Sequence, residues 1–317
     1  MTRNKPAYRL GDEKNLEIPM ELHRLNRDRL VTRLKKNSQV KPEGTFVVLQ
    51  GGEAEMRHSS DHELVFRQES FFHWTFGVLE PGFYGAINVA NGQTYIFMPR
   101  LPSSYAVWMG PLDTCSQVKA KYAVDHVHYV DEMAEVLKNA GANQLLTLYG
   151  QNSDSGAHTR EATFEGISGF TVDNSILHYE ISECRVIKTP LELQVLRYSN
   201  RISSDAHRHL MRAIRPGMYE FQAESLFHHY CYTNGGMRHC SYTCIGATGC
   251  NCAVLHYGHA AAPNERQMQD GDMCLFDMGG EYYCYCSDIT CYYPVHGKFP
   301  ANQRIVHAAV LDASRAV

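Results

Sequence analysis

The stretch 274–290, CLFDMGGEYYCYCSDIT, sets two aspartates, Asp277 and Asp288, into a run of β-forming residues. Aspartate is depleted in strands, and a buried carboxylate is costly unless something pairs with it. Gln269-Asp270-Gly271 is a turn signal, and the strand begins after it. A hairpin turning midway between the acids, near Tyr282-Tyr283, sets the two carboxylates directly opposite on one face, their Cβ atoms about 5 Å apart. Like charges that close repel, and a divalent cation relieves them, because hard oxygen ligands suit Mn²⁺, Mg²⁺ or Ca²⁺. A turn at Gly279-Gly280, the stronger local hairpin signal, separates the acids instead and leaves ordinary rim charges. The spacing D-x10-D does not by itself choose between the two.

Just upstream, AVLHYGHAAAPNE carries His256 and His259. On a strand, i and i+3 face opposite ways, so the two histidines are not expected to share a ligand. A lone histidine beside apolar residues has a core, hydrogen-bonded role as its alternative. The loop Cys244-Ile-Gly-Ala-Thr-Gly249 is Gly-rich but matches neither G-x-G-x-x-G nor a P-loop, which argues against phosphate binding. Ten of the eleven cysteines lie between Cys184 and Cys291. Cys240, Cys244, Cys250 and Cys252 are spaced x3, x5, x1, which matches no C-x2-C pair of a zinc site. Small reduced core residues are the expected role.

The elements that must position these groups fall into two textures. FVVLQGGE (46–53), YGAINVA (84–90), TYIFMPR (94–100) and LLTLYG (145–150) are β-rich and end at Gly, Pro or Asn. Between them ELHRLNRDRLVTRLKK (21–36) and VDEMAEVLKNAG (130–141) carry helical spacing, so an α/β layer domain is expected over 1–186. A sharp helix start follows, with Thr189 as cap, Pro190 at the first turn and Glu192 completing a T-x-x-E box. A second helix ends at Gly235-Gly236. From there to Pro294 the texture is strand and turn, and the second domain covers 187–317. A last helix after Pro300 has Ile305, Val306, Ala309, Val310, Ala313 and Val317 on one face and meets no stop signal, as if cut in mid-element.

At 317 residues the chain can bury a sizeable core. A net charge of −4 and a pI near 6.5 give no electrostatic reason to expect nucleic acid or an anionic membrane as partner. No apolar run spans a bilayer, and the polar start MTRNKPAYRLGDEK lacks the core of a signal peptide. A cytoplasmic protein is the expectation.

The series ECRVIKTPLELQVLR, MRAIRPGMYEF, GGMRHCSYTC, AVLHYGHAAAPN and DGDMCLFDMGGEYYCYCSDIT resembles the Xaa-Pro dipeptidases (prolidases). These are pita-bread metallopeptidases, like aminopeptidase P, creatinase and methionine aminopeptidase. VVLQGGE, FRQESFFHWTFGVLEPGFYG, PRLPSSYAVWMG and KYAVDHVHYVDE extend the resemblance into the first domain. Cys291 after Asp288-Ile-Thr is prolidase-like, where much of the wider family places arginine.

The resemblance implies an aminopeptidase P-type α/β N-terminal domain with a mixed sheet, followed by part of an α+β pita-bread domain. It implies two metal ions, usually manganese, with Asp277 ligating one and Asp288 bridging both. His256 then stabilises the oxyanion beside the substrate, and Tyr242 lines the same pocket. Trp108 reaches toward the active site of the other subunit of a homodimer as a substrate-binding residue, its alternative being a core aromatic under a loop. The implied reaction is attack of a metal-activated hydroxide on the carbonyl before proline in a dipeptide. In the family, a histidine ligand, two glutamate ligands and further substrate-binding residues follow the region matched here. The expectation is therefore a fragment that is inactive alone, with coding sequence continuing past Val317. The alternatives are a truncated, inactive homologue that binds or dimerises, and an aminopeptidase P-like activity on longer peptides.

Overall fold

The computed structural model describes residues 6–317. They divide into two compact units: 6–8 with Glu17–Glu192, and Arg9–Leu16 with Leu193–Val317. No helix among the described residues is long and apolar enough to cross a membrane.

The first unit opens with a short ladder, β1 (Ala7–Tyr8) on β2 (Ile18–Pro19), and helix α1 (Glu21–Lys36). There follow β3 (Thr45–Gln50), α2 (Ser70–Phe76), β4 (Tyr84–Asn88), β5 (Thr94–Met98), α3 (Ala106–Met109) and α4 (Cys115–Tyr122). The unit continues through β6 (His126–Tyr129), α5 (Met133–Asn139), β7 (Gln144–Thr147), β8 (Thr171–Asp173) and α6 (Leu177–Val186). Six of these strands form a mixed sheet in the order β6-β5-β4-β3-β7-β8, with β4 antiparallel to both of its neighbours. Alternation along β3 sorts the core into two layers. Val47 and Leu49 join Leu30, Leu34, Phe72, Val118, Tyr122 and Leu177 on one face. Phe46 and Val48 join Met133 and Leu137 on the other. This is the helix-covered α/β layering expected of the first domain.

Helix α7 (Pro190–Ala213) begins with the anticipated capping box. The Thr189 N–H donates to Glu192 Oε2 at 2.7 Å and the Glu192 N–H to Thr189 Oγ1 at 3.2 Å. The division between the units falls just after Glu192, inside this helix, where composition had set the change of texture near 187.

The second unit contains the rest of α7, then α8 (Glu220–Gly235), β9 (His239–Cys240), β10 (Ile245–Thr248), β11 (Met273–Asp277), β12 (Gly280–Tyr282), β13 (Tyr285–Cys286), β14 (Thr290–Pro294) and α9 (Ala301–Ala316). Gly236 ends α8 with φ of +64°, a left-handed cap that favours glycine. Two three-stranded antiparallel sheets result, β10-β11-β14 and β13-β12-β9. The N-terminal residues Arg9–Leu16 are held to this unit by two tyrosines. Tyr198 donates to Asn15 Oδ1 at 3.0 Å and Tyr282 to the Leu16 carbonyl at 2.7 Å. No residue of α9 is buried, so its apolar stripe of Ile305, Val306 and Val310 lies exposed.

Candidate metal centre and its surroundings

The two aspartates sit on the arms of one long hairpin. Its register runs Met273↔Pro294 through Asp277↔Thr290 and on to Tyr282↔Tyr285 without slippage. The turn is therefore Tyr283-Cys284, one residue beyond the expected centre. Both residues have positive φ, 47° and 64°, as a two-residue turn of type I′ requires. The expectation of direct opposition is corrected accordingly. Asp277 faces Thr290, and Asp288 occupies the diagonal position of the same face. A shift of two residues preserves the face, because side chains alternate with period two.

The glycine pair does not turn the chain; it lies where neighbouring groups approach the backbone closely. A methyl on Gly279 would overlap the Ser287 carbonyl, and one on Gly280 would sit 2.6 Å from Met237 Sδ. Gly280 lets Ser203 of α7 approach the hairpin closely, and Gly279 lets the opposite arm do so at Ser287. Ser199, Ser203 and His207, spaced i, i+4 and i+8 on α7, hold the strand backbone. Ser199 donates to the Gly280 carbonyl at 3.0 Å, and the Gly280 N–H donates to Ser203 Oγ at 3.0 Å. The His207 Nε2–H donates to the Met278 carbonyl at 2.9 Å, and burial lowers the pKa of that imidazole.

Tyr242 joins the two acids. Its hydroxyl contacts Asp277 Oδ1 closely and lies 3.1 Å from Asp288 Oδ1. Both carboxylates therefore converge on one phenol oxygen, which has a single proton to give. Burial and the two carboxylates push the phenol well above its ordinary range.

His256 lies on an exposed turn rather than a strand, so the strand argument for separating it from His259 does not apply. It makes no hydrogen bond to either aspartate. Its neighbour Tyr257 is the anchored residue, donating at 2.7 Å to the buried carboxylate of Glu220 on α8. Glu220 also accepts from the Thr248 N–H and hydroxyl, each at 2.7 Å, and so fixes both ends of the segment bearing His256. Neither Glu220 nor the α7 serines had been singled out from sequence, although their polar spacing on apolar helix faces was a usable signal.

Trp108 is 83 % exposed on α3 between Val107 and Met109, both exposed as well, so it is not a core aromatic. Cys240 and Cys244 come together beside His228 of α8, while Cys252 lies against the Ala247 and Met273 carbonyls and Cys250 is exposed. Among the described residues, Asp277 and Asp288 are joined by no third metal-ligating side chain, and the one group of three is His228, Cys240 and Cys244.

Comparison with known proteins fits this anatomy. Residues 194–317 match the model of metallopeptidase family M24, and residues 23–149 match the aminopeptidase P N-terminal domain. The chain is 59 % identical over 312 residues to the Xaa-Pro dipeptidase of Homo sapiens, a match covering 98 % of this chain and 63 % of that protein. The Xaa-Pro dipeptidase of Rattus norvegicus is 58 % identical over 313 residues, with 99 % and 63 % covered. The chain thus spans 63 % of the length of these relatives. Among solved structures, the low-pH form of Escherichia coli aminopeptidase P superposes with a TM-score of 0.76 at 27 % identity, covering 94 % of this chain and 67 % of that one. The Pseudomonas aeruginosa aminopeptidase PepP, at 24 % identity and a TM-score of 0.77, shares the fold.

Proposed function

We propose that this chain serves the hydrolysis of Xaa-Pro dipeptides as a member of metallopeptidase family M24, a reading supported by the match of residues 194–317 to that family's model and of residues 23–149 to the aminopeptidase P N-terminal domain. One observation carries the proposal: the hairpin register brings Asp277 and Asp288 to a single phenol oxygen from one face. The dipeptidase reading is preferred to an aminopeptidase P-like one by the sequence relation, 59 % identity over nearly the whole chain against 27 % for the solved aminopeptidase P.

The match to metallopeptidase family M24 supports a dependence on a divalent metal. The donor set fits such an ion, since two hard carboxylates converge on one point on the face where Tyr242 also projects. Asp277 and Asp288 would hold it, and Mn²⁺ is the ion of the proposal. A bound divalent cation supplies Lewis acidity and lowers the pKa of a water it binds. The chain's own residues do the rest. Tyr242 orients the two carboxylates, with His256 assigned to the substrate's developing oxyanion. The Xaa-Pro amide lacks an N–H, so recognition has to come from shape and from contacts to the chain ends rather than from that bond.

Trp108 is assigned to the substrate site of the other subunit in a homodimer, supported by its exposure beside Val107 and Met109. A cytoplasmic site of action belongs to the same reading and rests on composition and cysteine usage.

The test uses the protein expressed from its natural transcript, assayed for proline release from Gly-Pro with Mn²⁺. Activity that falls at least about a hundredfold in both Asp277→Asn and Asp288→Asn supports the reading. Absence of proline release, or release indifferent to both substitutions, refutes it.

A further inference from the structure

A second cluster of ligating side chains lies on the segment that carries Tyr242. Cys240 ends β9, Cys244 immediately precedes β10, and His228 projects from α8 one turn after Glu224. The two sulfurs are 4.0 Å apart, and His228 Nε2 lies 3.9 Å from Cys240 Sγ and 3.5 Å from Cys244 Sγ. Glu224 Oε1 is 3.6 Å from the same nitrogen. The other Glu224 oxygen accepts from Asn264 Nδ2 at 2.8 Å, which fixes the carboxylate's orientation.

These separations have a chemical meaning. With Zn–S near 2.3 Å and Zn–N and Zn–O near 2.1 Å, tetrahedral edges are about 3.8 Å for S···S, about 3.6 Å for S···N and about 3.4 Å for N···O. The separations among His228, Cys240 and Cys244 lie within a few tenths of an ångström of the matching edges. An ion seated among these groups would reach its ligands with side-chain adjustments only. The donor set is soft, unlike the carboxylate pair, and suits a zinc-class cation rather than Mn²⁺ or Mg²⁺.

We propose that His228, Cys240 and Cys244 form a binding site for one zinc-class divalent cation, with water as fourth ligand. The site is distinct from the Asp277–Asp288 pair in residues and in donor chemistry. Binding there pins both ends of the segment 240–244, whose middle residue Tyr242 touches both aspartates. The site therefore stiffens one support of the carboxylate pair without ligating the ion held by it.

The reduced chain is titrated with Co²⁺, whose thiolate charge-transfer absorption reports sulfur ligation, and Zn²⁺ is then added as competitor. One Co²⁺ per chain with that absorption, displaced by Zn²⁺, is expected. The absorption is lost in Cys240→Ser and in Cys244→Ser and is kept in Asp277→Asn and Asp288→Asn. His228→Asn alters an exposed helix position and leaves the fold intact; it is expected to weaken Co²⁺ binding by on the order of tenfold or more. Folding of each variant is checked by circular dichroism. No charge-transfer absorption in the parent chain, or absorption that survives both cysteine substitutions, overturns the site. So does a Co²⁺-silent chain in which Cys240 and Cys244 are recovered as a disulfide, because that assigns the pair to thiol redox chemistry.

Discussion

Asp277 stands across the hairpin from Thr290, with Asp288 on the diagonal of the same face. The two carboxylates meet at Tyr242 because the register set by the turn at Tyr283-Cys284 keeps them on one face of the hairpin. Two acids on one strand pair are a poor arrangement for stability and a suitable one for gripping a cation.

Two carboxylates supply too few ligands for a divalent cation, which takes about four to six. The 317-residue polypeptide alone, supplied with Mn²⁺, should release no more proline from Gly-Pro than its Asp288→Asn variant does. Turnover by the parent chain that Asp288→Asn abolishes would show that fewer ligands suffice.

The type I′ turn at Tyr283-Cys284 places two side chains at positive φ, where glycine and asparagine are favoured. Cys284→Gly should raise stability by about 1 kcal/mol, read as a higher urea midpoint. Gly279→Ala should do the reverse, lowering stability by about 2–3 kcal/mol, because its methyl overlaps the Ser287 carbonyl.

Glu192 is 1 % exposed and joins three elements of the first unit. Besides completing the cap of α7, it accepts from Trp74 Nε1 at 2.8 Å and from Arg29 at 3.4 Å. Glu192→Ala strands the indole N–H and removes the cap, while Arg29 keeps its bonds to the Cys184 and Ile187 carbonyls, and it should cost about 2–3 kcal/mol in chemical denaturation. A loss under about 1 kcal/mol would mean that water replaces the carboxylate.

Acid should weaken the first unit. His23 donates its Nδ1–H to the Trp74 carbonyl at 3.1 Å and accepts the Tyr8 hydroxyl at 2.8 Å, and burial lowers its pKa to about 3. His73, edge-on to it with ring centroids 5.2 Å apart, is also lowered by burial. Below the ordinary value of 6.5 the folded chain binds fewer protons than the unfolded one. The stabilisation is therefore complete above that pH and declines as pH falls toward the folded value, by about 1.4 kcal/mol per pH unit for each histidine. Urea midpoints measured from about pH 7.5 to about pH 5 should show the decline, with a shallower slope in His73→Gln.

Local chemistry wrote much of this protein legibly. The helix 21–36, the Thr189–Glu192 cap and the glycine end of α8 each depend on residues within a turn or two of one another, and all three occur as the sequence implies. Family resemblance, carried by motifs in order along the chain, is likewise a property of sequence. The meeting of groups distant in the chain could not be read in that way. Packing goes with the hairpin register, since Ser199 and Ser203 of α7 hold the Gly280 backbone and His207 holds the Met278 carbonyl, so the glycine pair lies along the ladder and not at the turn. His228 meets Cys240 and Cys244 only because α8 lies against β10, a proximity that no spacing between cysteines encodes. A side chain's own neighbours set its backbone, but burial and steric approach across elements decide which distant partner it faces, and that choice exists only in the folded chain.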